Sequence, residues 1–125
     1  MYELKVVSFF SAAHSLREYQ GKCEAMHGHN WKVEVAVRRQ DLDKAGLALD
    51  FKELKYMLNS VIDNLDHKDL GQIDFFKKHN PSSENIAYFI YNELKMPLEN
   101  KGCALKKVTV WEQRDYCASY YEKDS

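Results

Sequence analysis

From His29 to Arg38 apolar and polar side chains alternate, with Trp31, Val33, Val35 and Val37 on one side and Lys32, Glu34 and Arg38 on the other. A period of two marks a half-buried strand, because successive side chains of an extended chain point to opposite faces. By parity His29 shares the apolar side, and in an extended backbone His27, two residues earlier, points the same way. His14 ends another strand-like run, so three imidazoles can meet in one place. Three neutral ring nitrogens form the ligand set that leaves zinc one open position for water or substrate. Cys23, four residues before His27, supplies a thiol nearby. Two other readings stay open. Cys23 can be a fourth ligand that closes a structural site, or the histidines can be separate residues satisfied by backbone and core partners.

The remaining pattern predicts the order ββααββ within one α+β domain over residues 1–125. A first strand is expected from Tyr2 to Phe10 and a second from His29 to Arg38. Asp50 followed by Glu53 resembles a capping box, and Phe51, Leu54, Met57, Leu58, Val61, Ile62 and Leu65 recur at helical spacing, which predicts a helix to about Asn64. Pro81, Ser82, Ser83 and Glu84 start a second helix with Ile86, Phe89, Ile90 and Leu94 as its buried stripe, expected to end before Pro97. Lys106 to Glu112 and Cys117 to Glu122 read as a hairpin about a turn at Arg114-Asp115, so the sheet is expected to be antiparallel.

Charge and cysteine usage exclude several classes. The 18 basic and 19 acidic residues are spread along the sequence, so no basic stripe argues for nucleic acid. No run of eighteen apolar residues suggests a membrane span, and the start lacks the pattern of a signal peptide, which predicts a cytoplasmic protein. The 3 cysteines are scattered without a Cys-x-x-Cys pair, which favours neither a disulfide framework nor a zinc finger and leaves Cys103 and Cys117 as inert fillers or half-exposed thiols.

Two further groups are candidates for chemistry. Glu112 falls on the Val108/Val110 side of its strand. A carboxylate there either bends back to water at the strand end or is a buried anion needing paired donors, such as the N–H and amino group of a flat nitrogen heterocycle. Asp66-His67, just past the first helix, is either a surface dipeptide or a carboxylate-supported imidazole that shuttles protons to or from Cys23. His79 reads as solvated surface.

Five blocks together resemble the 6-pyruvoyltetrahydropterin synthase family: Phe10-Ser11-Ala12-Ala13-His14, Cys23-Glu24-Ala25-Met26-His27-Gly28-His29-Asn30, Leu65-Asp66-His67-Lys68-Asp69-Leu70, Pro81-Ser82-Ser83-Glu84-Asn85-Ile86 and Val110-Trp111-Glu112. The Cys-x-x-x-His-Gly-His spacing is similar to the 6-carboxytetrahydropterin synthase branch, which works in queuosine precursor synthesis. The resemblance implies a tunnelling fold (T-fold) with four antiparallel strands and two helices on one face. It also implies a homo-oligomer, a hexamer built from two trimers, with active sites between subunits, so that Cys23 or the Asp66-His67 pair reaches a pocket whose Glu112 belongs to a neighbouring chain.

Carried onto this sequence, the resemblance implies that His14, His27 and His29 hold zinc. Cys23 is then the proton acceptor, Asp66 and His67 the relay, and Glu112 the anchor of the pterin ring, with Ser82, Ser83 and Glu84 also at the substrate. The implied substrate is 7,8-dihydroneopterin triphosphate, converted to 6-carboxytetrahydropterin with loss of acetaldehyde and triphosphate. Alternatives within the family are 6-pyruvoyltetrahydropterin synthesis and the shortening of dihydroneopterin to a folate precursor. The second is raised by Glu24, which sets a Glu-x-x-His-Gly-His arrangement over the cysteine motif. Because neighbouring side groups diverge on an extended backbone, Cys23 is expected to be the base and Glu24 to be exposed. Ser82 stands where many relatives carry Thr, and Gln113 where Thr or Ser is common. Arg17, Lys22 and Lys68 are the candidates to meet a triphosphate.

Outside the family, a zinc-stabilised binding module and a Cys-His hydrolase using Cys23 and His67 are the competing readings. The hydrolase leaves His27 and His29 without a role.

Overall fold

The computed structural model describes residues 1–19, 21–22 and 24–123; Gln20, Cys23 and residues 124–125 lie outside it. In sequence order the elements are β1 (Tyr2–His14), β2 (His27–Arg39), α1 (Phe51–Ile62), β3 (Lys68–Asp69), α2 (Asp74–Lys78), α3 (Ser83–Asn100), β4 (Ala104–Gln113) and β5 (Tyr116–Tyr120). They form one sheet in the order β3-β1-β2-β4-β5. The long β1–β2 ladder runs from Tyr2 opposite Arg39 to His14 opposite His27 without a slip. β4 and β5 add antiparallel neighbours beyond β2, so the four long strands form the sheet the sequence predicts.

The apolar face of this sheet carries Val6, Phe10, Trp31, Val33, Val35, Val108 and Val110. Against it pack Leu54 and Leu58 of α1 and Ile86, Ile90, Leu94 and Leu98 of α3. Full burial of each such residue stabilises the fold by about 1.5–3 kcal/mol. A core of this extent holds the fold together without help from the histidines at its end.

Several points differ from the expected elements, beyond shifts of one or two residues at the ends of β2, β4 and β5. β1 runs four residues past Phe10 to His14, because its last residues pair with the start of β2. α1 starts as predicted, with the Asp50 carboxylate accepting from the Lys52 N–H, but it stops at Ile62. Glu53 does not complete a capping box; its carboxylate meets Lys101 at 2.7 Å. The segment after α1 is not a plain connection. Lys68–Asp69 makes a two-residue parallel pairing with Ala12 and Ala13, the sheet's fifth strand, and a 3-10 turn (Leu70–Gln72) and α2 follow. Leu65, Leu70 and Phe76 anchor this stretch in the core at spacings that match neither helix nor strand periodicity. Finally, α3 continues through Pro97 to Asn100. Proline removes one donor near the helix end, but Leu98 is fully buried and its carbonyl accepts from the N–H groups of Lys101 and Cys103, which keeps the last turn closed.

Cys103 is buried and Cys117 exposed, and both are free thiols. No helix among the described residues is long and apolar enough to cross a membrane.

Leu58→Ala is expected to destabilise the protein by about 2–5 kcal/mol, as a cavity in a fully packed layer does. Urea denaturation followed by circular dichroism measures it.

Candidate metal and substrate site

The ends of three strands converge where the helix-covered face of the sheet runs out. His14 ends β1, its cross-strand partner His27 begins β2, and His29 lies two residues further along the same face. Glu112 arrives from β4 at a bulge: Trp111 pairs with Cys117 and Gln113 with Tyr116, which leaves Glu112 as the extra residue. Bulges bend a strand and re-aim the residue they carry. The floor beneath is Trp31, fully buried, edge-on to His14 and His29, with its indole N–H donating to the Ala12 carbonyl at 3.2 Å.

Backbone carbonyls decide which ring nitrogens face inward. Nδ1 of His14 lies 2.8 Å from the Pro81 carbonyl and Nδ1 of His27 lies 2.9 Å from the Ala25 carbonyl. A carbonyl only accepts, so both Nδ1 atoms carry the proton and both Nε2 atoms present lone pairs. Those two Nε2 atoms are 3.0 Å apart. Glu112 Oε1 lies 2.9 Å from Nε2 of His29, 3.2 Å from Nε2 of His14 and 3.9 Å from Nε2 of His27. Nε2 of His29 is nevertheless a buried atom with no aligned hydrogen bond. Burial also holds the His29 imidazole below its ordinary pKa, against the opposing pull of Glu112, so the neutral ring is favoured.

Four potential ligand atoms lie within 4.8 Å of one another, and the facing lone pairs of His14, His27 and Glu112 repel unless something positive sits among them. A single proton satisfies one of these contacts, whereas a cation satisfies all of them. Ligands of a tetrahedral zinc ion at roughly 2.0–2.1 Å lie about 3.4 Å from each other, close to the separations here. The residues therefore fit a metal ion, and a single subunit supplies all four donors.

Asp66 and His67 form an organised pair rather than a chance dipeptide. Asp66 Oδ2 lies 3.0 Å from His67 Nδ1, while Oδ1 accepts from the Ser11 N–H at 2.8 Å. That Ser11 hydrogen bond, more than His67, holds the Asp66 carboxyl below its usual range. His67 has a φ of 58°, the left-handed region that a non-glycine residue seldom occupies, and its N–H donates to the Ser11 carbonyl at 2.6 Å. Two backbone bonds to the edge of β1 thus present an imidazole that is 82% exposed. His67, Lys68 and His29 line one open cavity of about 450 Å³.

Glu24 is half-buried rather than exposed. Its carboxylate turns back to the Leu16 N–H at 3.3 Å and stands 3.8 Å from Nδ1 of His27. Cys23, the expected base, lies outside the described residues. Ser82 caps α3, its hydroxyl accepting from the Asn85 N–H, with Ser83 half-buried and Glu84 exposed beside it. Among the candidate cations, the Arg17 guanidinium donates to the Phe76 carbonyl at 2.6 Å, whereas Lys22 and Lys68 are exposed. His79 is exposed and stacks on Phe75.

Sequence reasoning missed the supports. Asn80 exchanges two hydrogen bonds with the Arg17 backbone, both 2.8 Å, which brings the Pro81 carbonyl to His14. No residue type signals a backbone carbonyl contact 67 positions away in the sequence.

A model of the family described as 6-pyruvoyl tetrahydropterin synthase matches residues 3–123. The chain is 34% identical over 102 residues to the 6-carboxy-5,6,7,8-tetrahydropterin synthase of Rickettsia conorii, covering 68% of this chain and 74% of that one. It is 33% identical over 107 residues to the dihydroneopterin monophosphate aldolase of Pyrococcus furiosus, covering 86% of both. The solved structure of the Caenorhabditis elegans 6-pyruvoyl tetrahydropterin synthase superposes with a TM-score of 0.82 at 28% identity, over 98% of this chain and 96% of that one.

His14→Ala and His29→Ala are each expected to abolish saturable binding of one divalent cation per subunit, whereas His79→Ala leaves it intact. Equilibrium dialysis against zinc distinguishes them.

Proposed function

The chain belongs to the 6-pyruvoyl tetrahydropterin synthase family, and on that footing we propose that it is a zinc-dependent lyase that removes the side chain of a pterin. The favoured reaction is that of a 6-carboxytetrahydropterin synthase, converting 7,8-dihydroneopterin triphosphate to 6-carboxytetrahydropterin with loss of acetaldehyde and triphosphate, a step toward queuosine. The observation that carries this reading is the set of facing lone pairs, two Nε2 atoms 3.0 Å apart with a carboxylate oxygen beside them. The cytoplasm is the proposed location, in keeping with three scattered cysteines that form no Cys-x-x-Cys pair.

When bound by His14, His27 and His29, zinc supplies the Lewis acidity that makes the C–H and O–H protons of the pterin's substituent easier to remove. Cys23, as a thiolate favoured by nearby positive charge, accepts the proton. Asp66 holds the Nδ1–H of His67, so Nε2 of that exposed ring can give or take protons as the substituent rearranges. Glu112 accepts from the N–H and amino group of the pterin, and Ser82, Ser83 and Glu84 contribute from the start of α3. Lys68, beside His67 in the open cavity, is the cation suited to the triphosphate.

Glu24 supports a second reading. A carboxylate tethered 3.8 Å from the ring of His27 is a second base in the same loop, so cleavage of dihydroneopterin to a hydroxymethylpterin is the competing activity.

The proposed assembly is a homo-oligomer, a hexamer of two trimers. β1 pairs with β3 at Ala12 and Ala13 alone, so much of its outer edge is open, and β5 leaves the opposite edge open too. Joining one edge to the other in a ring of copies removes both. Native mass spectrometry is expected to give a multiple of three subunits.

The deciding experiment incubates the protein with dihydroneopterin triphosphate and, separately, with dihydroneopterin, and identifies products by mass. A carboxytetrahydropterin from the first and little turnover of the second is expected, with Cys23→Ala inactive yet still zinc-binding. Hydroxymethylpterin formation that survives Cys23→Ala but not Glu24→Ala overturns the branch. A chelator is expected to abolish turnover while leaving the circular dichroism spectrum unchanged; unfolding on metal removal favours the binding-module reading instead.

A further inference from the structure

The four donors at the cluster are not held alike. His14 is 2% exposed, with its far nitrogen tied to the Pro81 carbonyl, and His27 is tied to the Ala25 carbonyl. His29 stands on the rigid β1–β2 ladder, edge-on to the buried Trp31. Glu112 sits on a bulge and is 26% exposed. Among the described residues no backbone N–H or hydroxyl donates to its carboxylate; its contacts are the histidine nitrogens. Three ligands are therefore braced from behind and the fourth is held only by what it faces.

We propose that Glu112 is a displaceable fourth ligand: in the substrate-free protein its Oε1 completes a three-histidine, one-carboxylate site, and the N–H edge of an arriving pterin draws that carboxylate away. The inference rests on the reading that these histidines hold a cation. It adds that the site is closed by the protein itself until substrate exchanges one partner of Glu112 for another. Both partners suit a carboxylate, since a cation and a pair of co-planar N–H donors each satisfy its lone pairs. The two cannot share Oε1 at full strength, so gaining one loosens the other. A carboxylate at 2.9–3.9 Å from all three Nε2 atoms keeps the fourth position from being taken by adventitious ligands.

The test uses cobalt(II), whose visible spectrum reports its ligands, in the full-length wild type and in Glu112→Gln, with affinity read by competition against a chelator. Glu112→Gln is expected to bind one cobalt per subunit about tenfold to 100-fold more weakly, at least the loss that follows removal of an outer-shell partner, and to show a different spectrum. Added pterin, with no substituent to cleave, is expected to shift the wild-type spectrum and leave that of Glu112→Gln unmoved. Glu112→Asp, one methylene shorter, is expected to fall between the two in affinity and guards against a folding defect in the first variant.

Equal affinity and identical spectra in wild type and Glu112→Gln overturn the inference while leaving a three-histidine site standing. Equal pterin-induced shifts in both proteins overturn the hand-over. Failure of the wild type to bind cobalt overturns this inference together with the metal reading beneath it.

Discussion

The pairing of β1 with β2 is the constraint on which the rest depends. Its aligned pairs bring His14 opposite His27 and Ala12 opposite His29. A shift of one residue would turn the histidines to the other face and would equally expose Trp31, Val33, Val35 and Val37. The hydrophobic core and the histidine–glutamate cluster therefore share one register, and the burial of the valines holds the imidazoles in place.

That coupling explains how so short a protein can build a demanding polar site. Packing against α1 and α3 stabilises the middle of the sheet, and the cluster occupies the strand ends, where the helical cover stops. Peripheral segments then tune it. The Asn80-Pro81 stretch before α3 fixes His14, the loop before β2 fixes His27, and Ser11 on β1 holds the Asp66-His67 pair through both of its backbone groups. Most of these supports are backbone carbonyls or N–H groups, so substitution of the residues that bear them acts only indirectly.

Strong periodicity was legible. The alternation from Trp31 to Val37, the stripe from Leu54 to Ile62 and the Ser82 cap all lead to elements that form. Segments whose conformation is imposed by distant partners were not. Lys68 and Asp69 become a strand only because Ala12 and Ala13 lie beside them, and Leu98 carries α3 past a proline that by itself reads as a stop. Glu24 reads as an exposed loop carboxylate until the fold returns it to Leu16 and His27.

The residue types alone determined which chemistry was available: three imidazoles at strand parity, a carboxylate on an apolar face, an Asp-His pair after a helix, and enough Val, Leu and Ile to bury one sheet face. Tertiary structure decided how those groups meet. It oriented two ring nitrogens inward by tying the other two to carbonyls, delivered Glu112 to the histidines through a bulge, and stood His67 upright in a left-handed turn. Parity is a property of the backbone's own geometry and can be read along the sequence. Tautomer, ligand distance and the reach of a bulged residue depend on atoms brought from far along the sequence, which only the folded packing supplies.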